Sequence, residues 1–491
     1  MPFSIKSPNT GDSLATMSPG AVRKLWKKGV DIFEQSYDFF APMEGRDPRS
    51  LIQTETDTSK GKGQKITFTT MAGFYSEGKV GDQLFEGQDD FEEAVINDYD
   101  MVVDYLRNAT RYTERTEELM GMRGEIVAGL PQQLGEWMGR AKTERLFKMY
   151  EHKGDSGNYV YANGRGTKDQ LGSADTLRWE EIVAAGQQMK TRGGRAAIAG
   201  KMKNGKRLFR QCVVASTDSL TSLEFDPDYK AVLRDAGNRG DANYLFEGGY
   251  TDVRGHMIKE YSPIDHDGDG AIGSPLNPKA VLGGAITAGT TGFDILGGGS
   301  AEAAAKTKIK YFKFFPNFDY LFQPGDTLGV GSAEFYVLIV NPPGTADAGK
   351  MGFYKCVGNN GNRITVTERL GAAASGDRAT TVGAVTWDTG PWAGKHTDAH
   401  PIGSTIVLAN AKGVPIGSTL MLGARSAYRG YGKHRNRRTT QSHEGGFVRD
   451  VFITSVFGQE PRRDTRDRCP GFLHITHAVQ YAGLPIPNNI T

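Results

Sequence analysis

Little in this chain points to chemistry. Only three of its 491 residues are cysteine, Cys212, Cys356 and Cys469. They are far apart and odd in number, which gives neither a disulfide framework nor a zinc cluster. No apolar run reaches about 18 residues, so no membrane span is expected. The first 17 residues are polar and lack the apolar core of a secretion signal. An excess of one charge is missing too: 59 basic residues face 57 acidic ones, net +2. A dedicated nucleic-acid binder normally carries a strong basic excess.

Catalytic and ligand motifs are equally scarce. Gly194 to Lys201 has one residue too many for a phosphate loop and is followed by Met202. There is no Gly-x-Ser-x-Gly elbow and no His-Glu-x-x-His, and the nine histidines are scattered. Glu92-Glu93 and Glu117-Glu118 sit in charged text that reads as solvated surface. The best metal candidate is Asp265-His266-Asp267-Gly268-Asp269-Gly270, the first half of a calcium loop. Its twelfth position should be a bidentate Glu and is Leu276, so a solvated turn is the reading adopted. No catalytic, cofactor-binding or metal residue is assigned, and the chain is not read as an enzyme.

Glycine is abundant instead, 64 residues, about 13% against a usual 7%. At this length about three domains are expected. The organising stretch is Gly63 to His152. Gly63 to Thr70 reads as one arm of a β-hairpin, with Ile66 and Phe68 on one face. The returning arm runs from about Ala94 to Arg107. Val95, Tyr99, Met101, Val103 and Tyr105 share one face, and Asp98, Asp100 and Asp104 the other, the alternation of a half-buried strand. Such an arm would extend roughly 46 Å. Tyr75 to Glu93, between the arms, has neither helical nor strand period. A long, partly apolar ribbon with open edges is an aggregation hazard in a monomer, so a second copy of the chain is expected to cover it.

A helix from Thr113 to Tyr150 follows, carrying Leu119, Met122, Ile126, Leu130, Leu134, Trp137 and Ala141 on one stripe. Pro131 is expected to kink or split it near Gly129. Ser18-Pro19 opens a short basic amphipathic helix. Helices are predicted at Trp179 to Lys190 and at Ser219 to Asp235, the latter broken at Pro227. Strands are predicted at Arg210 to Ser216 and His256 to Tyr261. Residues 308–405 are β text with Gly/Pro/Asn turns, suggesting a small inserted antiparallel barrel or sandwich. The tail, Phe447 to Tyr481, is again strand-like.

One basic run stands out: Arg425, Arg429, Lys433, His434, Arg435, Arg437 and Arg438, interleaved with Tyr428 and Tyr431. It could contact phosphates, meet an acidic patch on a neighbouring copy, or be plain surface. The run Glu86 to Glu93 is such an acidic patch.

The order of these elements resembles the major capsid proteins of tailed bacteriophages, especially the N4-like podophage branch. The carriers are the arm Gly63-Gln64-Lys65-Ile66-Thr67-Phe68, the loop Gly81-Asp82-Gln83-Leu84-Phe85-Glu86-Gly87, the second arm, the helix through Trp137 to Tyr150, and Ala236-Gly237-Asn238-Arg239-Gly240. The resemblance implies an α+β tailed-phage capsid (Johnson) fold. Its expected parts are an N-terminal arm (1–60), an extended loop (61–110), a peripheral domain with a spine helix (111–216), an axial domain (217–307 and 406–444), an inserted all-β domain (308–405), and a return to the peripheral domain (445–491). It also implies self-assembly through hexamers and pentamers into an icosahedral shell around double-stranded DNA. Portal, scaffolding and decoration proteins would be partners, the DNA contact would be weak and non-specific, and no membrane would be involved. The protein would lie in the virion capsid after assembly in the host bacterial cytoplasm. The alternatives are the shell of a capsid-derived nanocompartment and a carbohydrate-binding or adhesive β protein.

Overall fold

The computed structural model describes residues 34–57, 59, 64–71, 95–113, 123–201, 207–231, 251–253, 255–261, 276–277, 279–282, 285, 292–294, 334–342, 345, 350–358, 363–370, 381–382, 385–386, 399–401, 404–433, 437–443 and 448–479. Two compact units divide the chain. The first comprises Met1–Arg46, Ile52–Leu146 and Tyr428–Glu460; the second comprises Asp47–Leu51, Phe147–Ala427 and Pro461–Thr491.

A six-stranded sheet frames the first unit. Glu44–Gly45 pairs with Ile52–Thr56, which neighbours Ala427–Tyr431; that strand neighbours Val448–Pro461, which also pairs with Arg437–His443 and Asp104–Thr113. The last two pairings are antiparallel, with Leu106 opposite Ser455 and Thr113 opposite Val448. Residues 104–113 are therefore strand, and the helix begins at Arg123 rather than Thr113. The expected arm of 94–107 is two strands, Ile96–Val102 and Asp104–Thr113, parted at Val103. The break shifts the phase of the alternation. Met101, Val103 and Leu106 are buried, while Tyr105, expected on the same face as Met101, is exposed; Val95, before the break, is exposed at the far end of the arm.

Helix α1, Arg123–Lys153, passes through Pro131 as one element. The proline removes one i→i−4 bond, but the turns after it are held by buried side chains, Leu134, Met138, Ala141, Leu146, Phe147 and Tyr150. Within the first unit Leu134, Met138 and Ala141 pack with Leu106, Tyr431, Val451, Ile453 and Phe457, and Trp137 lies against this cluster. Leu119 and Met122 lie outside the described residues, as do the helix at Ser18-Pro19, the loop Gly81 to Gly87 and the segment Ala236 to Gly240.

The second unit is built on a seven-stranded mixed sheet. Its order is Tyr159–Tyr161, Phe472–Ala478, Ile416–Leu422, Arg207–Ala215, His256–Glu260, Thr251–Val253, with Ala197–Lys201 also on Arg207–Ala215. Helices α2 (Trp179–Thr191) and α3 (Thr217–Phe225) belong to this unit. Trp179, Ile182, Ala185 and Met189 of α2 and Leu223 of α3 bury with Val213, Ile258, Met421, Leu473 and Ile475. Ser216 caps α3, its hydroxyl accepting from the Ser219 amide. In the tail, Val448–Pro461 joins the sheet of the first unit, while Phe472–Ala478 lies between Tyr159–Tyr161 and Ile416–Leu422. The intervening turn is locked by Asp464, which accepts from the Arg466 and Arg468 amides and the Arg468 guanidinium.

Where the inserted β region of 308–405 is expected, the described strands form a six-stranded sheet and a two-stranded one, Thr381–Val382 against Val385–Thr386. The larger sheet has the order Lys279–Val281, Thr405–Ala409, Glu334–Val340, Met351–Gly358, Arg363–Leu370, Gly292–Asp294, with all pairings antiparallel. Two of its strands come from before residue 308, and a third runs to Ala409. Sequence text marked the long central strands but not these short flanking ones, which are too brief to carry a period. Inside it, Tyr354 Oη lies 2.8 Å from His400 Nε2, and His400 Nδ1 lies 2.6 Å from Asn341 Oδ1.

Candidate assembly surface

The hairpin stands as its own two-stranded sheet, Lys65–Met71 against Ile96–Val102, in a register from Lys65 opposite Val102 to Met71 opposite Ile96. Side chains alternate across it. Ile66 and Phe68 are buried with Met101 and Val103 against Tyr428 and Val456, and Tyr99 packs on them. The Phe68 and Tyr428 rings are 4.2 Å apart between centroids. Close approach is possible because Gly430 sits beneath: a Cβ there would collide with the Met101 side chain and meet Ile66 Cδ1 at 3.0 Å. The inner face of Lys65–Met71 is buried along its length, at Ile66, Phe68 and Thr70.

The other face looks to solvent. Met71 is 60% exposed, Ile96 57%, Val102 54% and, beside the ribbon, Val95 55%. Met71 and Ile96 are directly opposite each other, so they form an apolar pair at the end away from the base. Between that pair and Val102 the face is acidic and hydroxylic. Asp100 accepts from Lys65 Nζ at 2.9 Å and Thr67 Oγ1 at 2.8 Å. These two hydrogen bonds, the one from Lys65 first, hold its carboxyl below the usual range. The pair is the kind of exposed apolar surface that marks a contact site.

Behind the ribbon the segment from Glu34 is fixed by buried charge. Arg429, placed by the basic run on a contact surface, is fully buried and not at the surface. Its Nη1 donates to Asp38 Oδ2 at 2.5 Å and to Glu44 Oε1. Burial works against its charge, but Asp38 and Glu44 more than offset this and raise its pKa. Asp38 also accepts from Thr143 Oγ1 at 2.9 Å and the Phe40 amide at 3.1 Å. Lys142, buried on α1, donates to Glu34 and lies 5.0 Å from the Tyr431 ring centroid. Tyr428 and Tyr431 are buried as well. Of the run, only Lys433 and Arg437 are exposed among the residues whose side chains are described within this unit; His434, Arg435 and the Arg438 side chain are outside that set. Arg425 belongs to the second unit, where its Nε donates to the Pro48 carbonyl at 2.7 Å. Nothing in residue spacing distinguishes a buried Arg from an exposed one; the Asp38 and Glu44 partners are nearly 400 positions away.

Other candidates assign no chemistry. Asp265, Asp267 and Asp269 lie outside the described residues, as does the acidic run 86–93. Among the described residues no group of three His, Cys, Asp or Glu could hold a metal, and no helix is long and apolar enough to cross a membrane. Cys212 and Cys469 are buried thiols, both pushed up to about 12 by desolvation. One titrating pair escaped sequence reading. Glu151 Oε2 lies 3.6 Å from His474 Nδ1. Burial pushes the Glu151 carboxyl up to about 8 and the His474 imidazole down to about 4, so both are neutral near pH 7. His474 Nδ1 is also 3.2 Å from Ser418 Oγ, and Tyr159 stacks on the ring at 5.4 Å.

No protein-family model matches the chain. The major capsid protein of Pseudomonas phage KPP25 is 24% identical over 258 residues, 45% of this chain and 66% of that protein, just under two thirds of its length. The capsid structure of Ralstonia phage GP4 superposes with a TM-score of 0.51 at 12% identity, covering 98% of both chains. The capsid of cyanophage Pam1 gives 0.49 at 10% identity, covering 90% of this chain and 92% of its own. With its long helix, two-stranded hairpin and mixed sheets, the chain has the fold of the tailed-bacteriophage major capsid proteins.

Proposed function

We propose that this protein is a major capsid protein that assembles through hexamers and pentamers into an icosahedral shell around double-stranded DNA. The observation that carries this reading is the hairpin. Its inner face is completed by Tyr428 and Val456 of its own unit. Its outer face leaves Met71 and Ile96 more than half exposed, and Val95, next in the chain, is exposed as well. Fully burying such a side chain is worth about 1.5–3 kcal/mol. The three together therefore offer roughly 3–4 kcal/mol to a copy that covers them. Head-to-tail contacts of this kind close into rings, and each further contact in a closed shell is effectively intramolecular. The capsid proteins it resembles in sequence and fold support the same reading. The role is structural rather than catalytic. Portal, scaffolding and decoration proteins would be partners, and the site of action would be the virion capsid, assembled in the bacterial cytoplasm.

Deletion of Tyr75 to Glu93 tests this. The expected product is a folded chain that sediments as a small species where the full chain gives megadalton particles. Normal particles by electron microscopy would refute the hairpin's role. DNA inside full-chain particles from infected cells separates a virion shell from a nanocompartment.

A further inference from the structure

In the second unit the loop that leaves Tyr159–Tyr161 turns back on Asn163 and Gly164. Both have positive φ, 56° at Asn163 and 64° at Gly164, and the Arg165 amide closes the turn on the Ala162 carbonyl at 3.3 Å. Asn-Gly is the pair that such a backbone selects. The turn is exposed, yet Asn163 is tied to two buried acids. Its backbone amide donates to Glu181 Oε1 at 2.6 Å and its Nδ2 to Asp175 Oδ1 at 3.0 Å. Asp175 also accepts from Arg165 Nε at 3.0 Å and the Gly172 amide at 2.8 Å. The Asp175 carbonyl receives the Ala478 amide at 2.8 Å. Further along the same loop, the Lys168 and Leu171 carbonyls accept from Asn410 Nδ2 at 3.1 and 2.8 Å. The Asn163 carboxamide therefore helps hold a loop that ties the Phe472–Ala478 strand to the turn after Thr405–Ala409.

We propose that Asn163 is a self-modification site, where slow deamidation turns the carboxamide into a carboxylate and loosens this loop. Hydroxide takes the proton of the Gly164 backbone nitrogen, which attacks Asn163 Cγ. The N–Cγ bond forms, the Cγ–Nδ2 bond breaks, and ammonia leaves with a proton from water. Water then opens the succinimide at either carbonyl, leaving aspartate or isoaspartate at 163. A side chain on the next residue hinders the attack, and a proline nitrogen has no proton to lose. Among the other described asparagines, Asn277 and Asn341 precede prolines, while Asn97, Asn108, Asn158 and Asn410 precede Asp98, Ala109, Tyr159 and Ala411. Asn163 is followed by glycine, and the space where a Gly164 side chain would stand is open, with no atom within 4 Å. The product works against the loop. It removes one of the donors to Asp175 and sets negative charge where the amide stood, 3.0 Å from Asp175 Oδ1. Like charges so close disfavour the ionised form of both. Isoaspartate also adds a methylene to the backbone, which the two-residue turn cannot take up with its closing bond kept.

The test holds the full chain in mildly alkaline buffer and follows its peptides by mass spectrometry, with an enzymatic assay for isoaspartate. The Asn163 peptide is expected to gain the mass of an NH2-to-OH exchange before those of the other described asparagines. Conversion should run about tenfold slower than in urea, because the turn must open before the attack; that ratio corresponds to about 1.4 kcal/mol. Converted chains should melt earlier than fresh ones, and hydrogen exchange should speed up at the Arg165, Gly172 and Ala478 amides. Asn163→Asp should show both changes from the start. Asn163→Ser, which cannot form the imide, should keep a constant melting temperature through the same incubation. An Asn163 that stays intact in the folded chain while it converts in urea overturns the proposal, as does full conversion with exchange at those three amides unchanged. If Asn163→Asp does not fold, the wild-type time course decides alone. The outcome is independent of whether the chain builds a shell.

Discussion

Replacing Arg429 by Met should be among the most damaging single changes in the first unit. The guanidinium is fully buried and places positive charge against both Asp38 Oδ2 and Glu44 Oε1. Met fills much of the same volume but leaves two carboxylates facing each other away from water. Removing one partner of a buried pair costs about 3–5 kcal/mol. Asp38 keeps its bonds from Thr143 and the Phe40 amide, and Glu44 Oε2 keeps the Tyr431 hydroxyl at 3.4 Å. The lower end, about 3 kcal/mol, is therefore expected. In a unit of this size each kcal/mol moves Tm by about 2–4 °C, so the shift should be about 6–12 °C downward by scanning calorimetry of the unassembled chain. Adding Asp38→Asn and Glu44→Gln removes the exposed conflict and should recover most of the loss, since replacing a whole buried ion pair is often nearly neutral. The two routes separate charge from packing. If Arg429→Met melts within about 2 °C of the wild type, buried charge is not what fixes the segment from Glu34 to Glu44.

Three further outcomes follow from local geometry. A Cβ at Gly139 would meet the Glu34 carbonyl oxygen at 2.6 Å and the Asp38 amide at 2.8 Å; both are backbone, so Gly139→Ala should cost about 1–3 kcal/mol and speed proteolysis near residues 34–38. Because the folded-state pKa of Glu151 is raised to about 8 from 4.5, its contribution is present below about pH 4.5 and lost as pH rises through 8. Glu151→Gln should therefore gain Tm relative to the wild type as pH goes from 5 to 8, and a constant difference would refute the assignment. His474 and His477, held down at about 4 by burial, act in the opposite sense. Their contribution is present above about 6.5 and lost as pH falls to 4, so His477→Gln should flatten the acid limb of a Tm–pH profile.

The hairpin was legible because half-burial writes itself into alternate residues: Ile66, Phe68, Tyr99 and Met101 meet one apolar surface, and Thr67, Asp98 and Asp100 meet water. The shift at Val103 was not legible. A single residue that joins two strands of different sheets changes which parity is buried while the text still alternates. Helix α1 was legible from Leu134 onward, where its stripe meets a sheet, but its start was not, because Asp104–Thr113 is selected by pairing with Val448–Phe457 more than 300 positions later. The basic run misled for the same reason. Arg429 is polar by composition and core by location, and only its distant acidic partners tell the difference. The fold of residues 159–215 was clearer, since α2 and the Cys212 to Ala215 strand are apolar enough to be buried wherever they dock.

The acidic stripe of the ribbon also decides what the ribbon will not bind. Laid against an identical ribbon, face to face, the Asp98 carboxylates of the two copies would be brought near each other, with Asp100 held by Lys65, and like charges brought together in this way are repelled. Copies of the chain at high concentration would thus be discouraged from sticking hairpin to hairpin. The apolar end carrying Met71 and Ile96 stays available to a dissimilar surface, so in the proposed shell ordered growth would be favoured over tangled clumps.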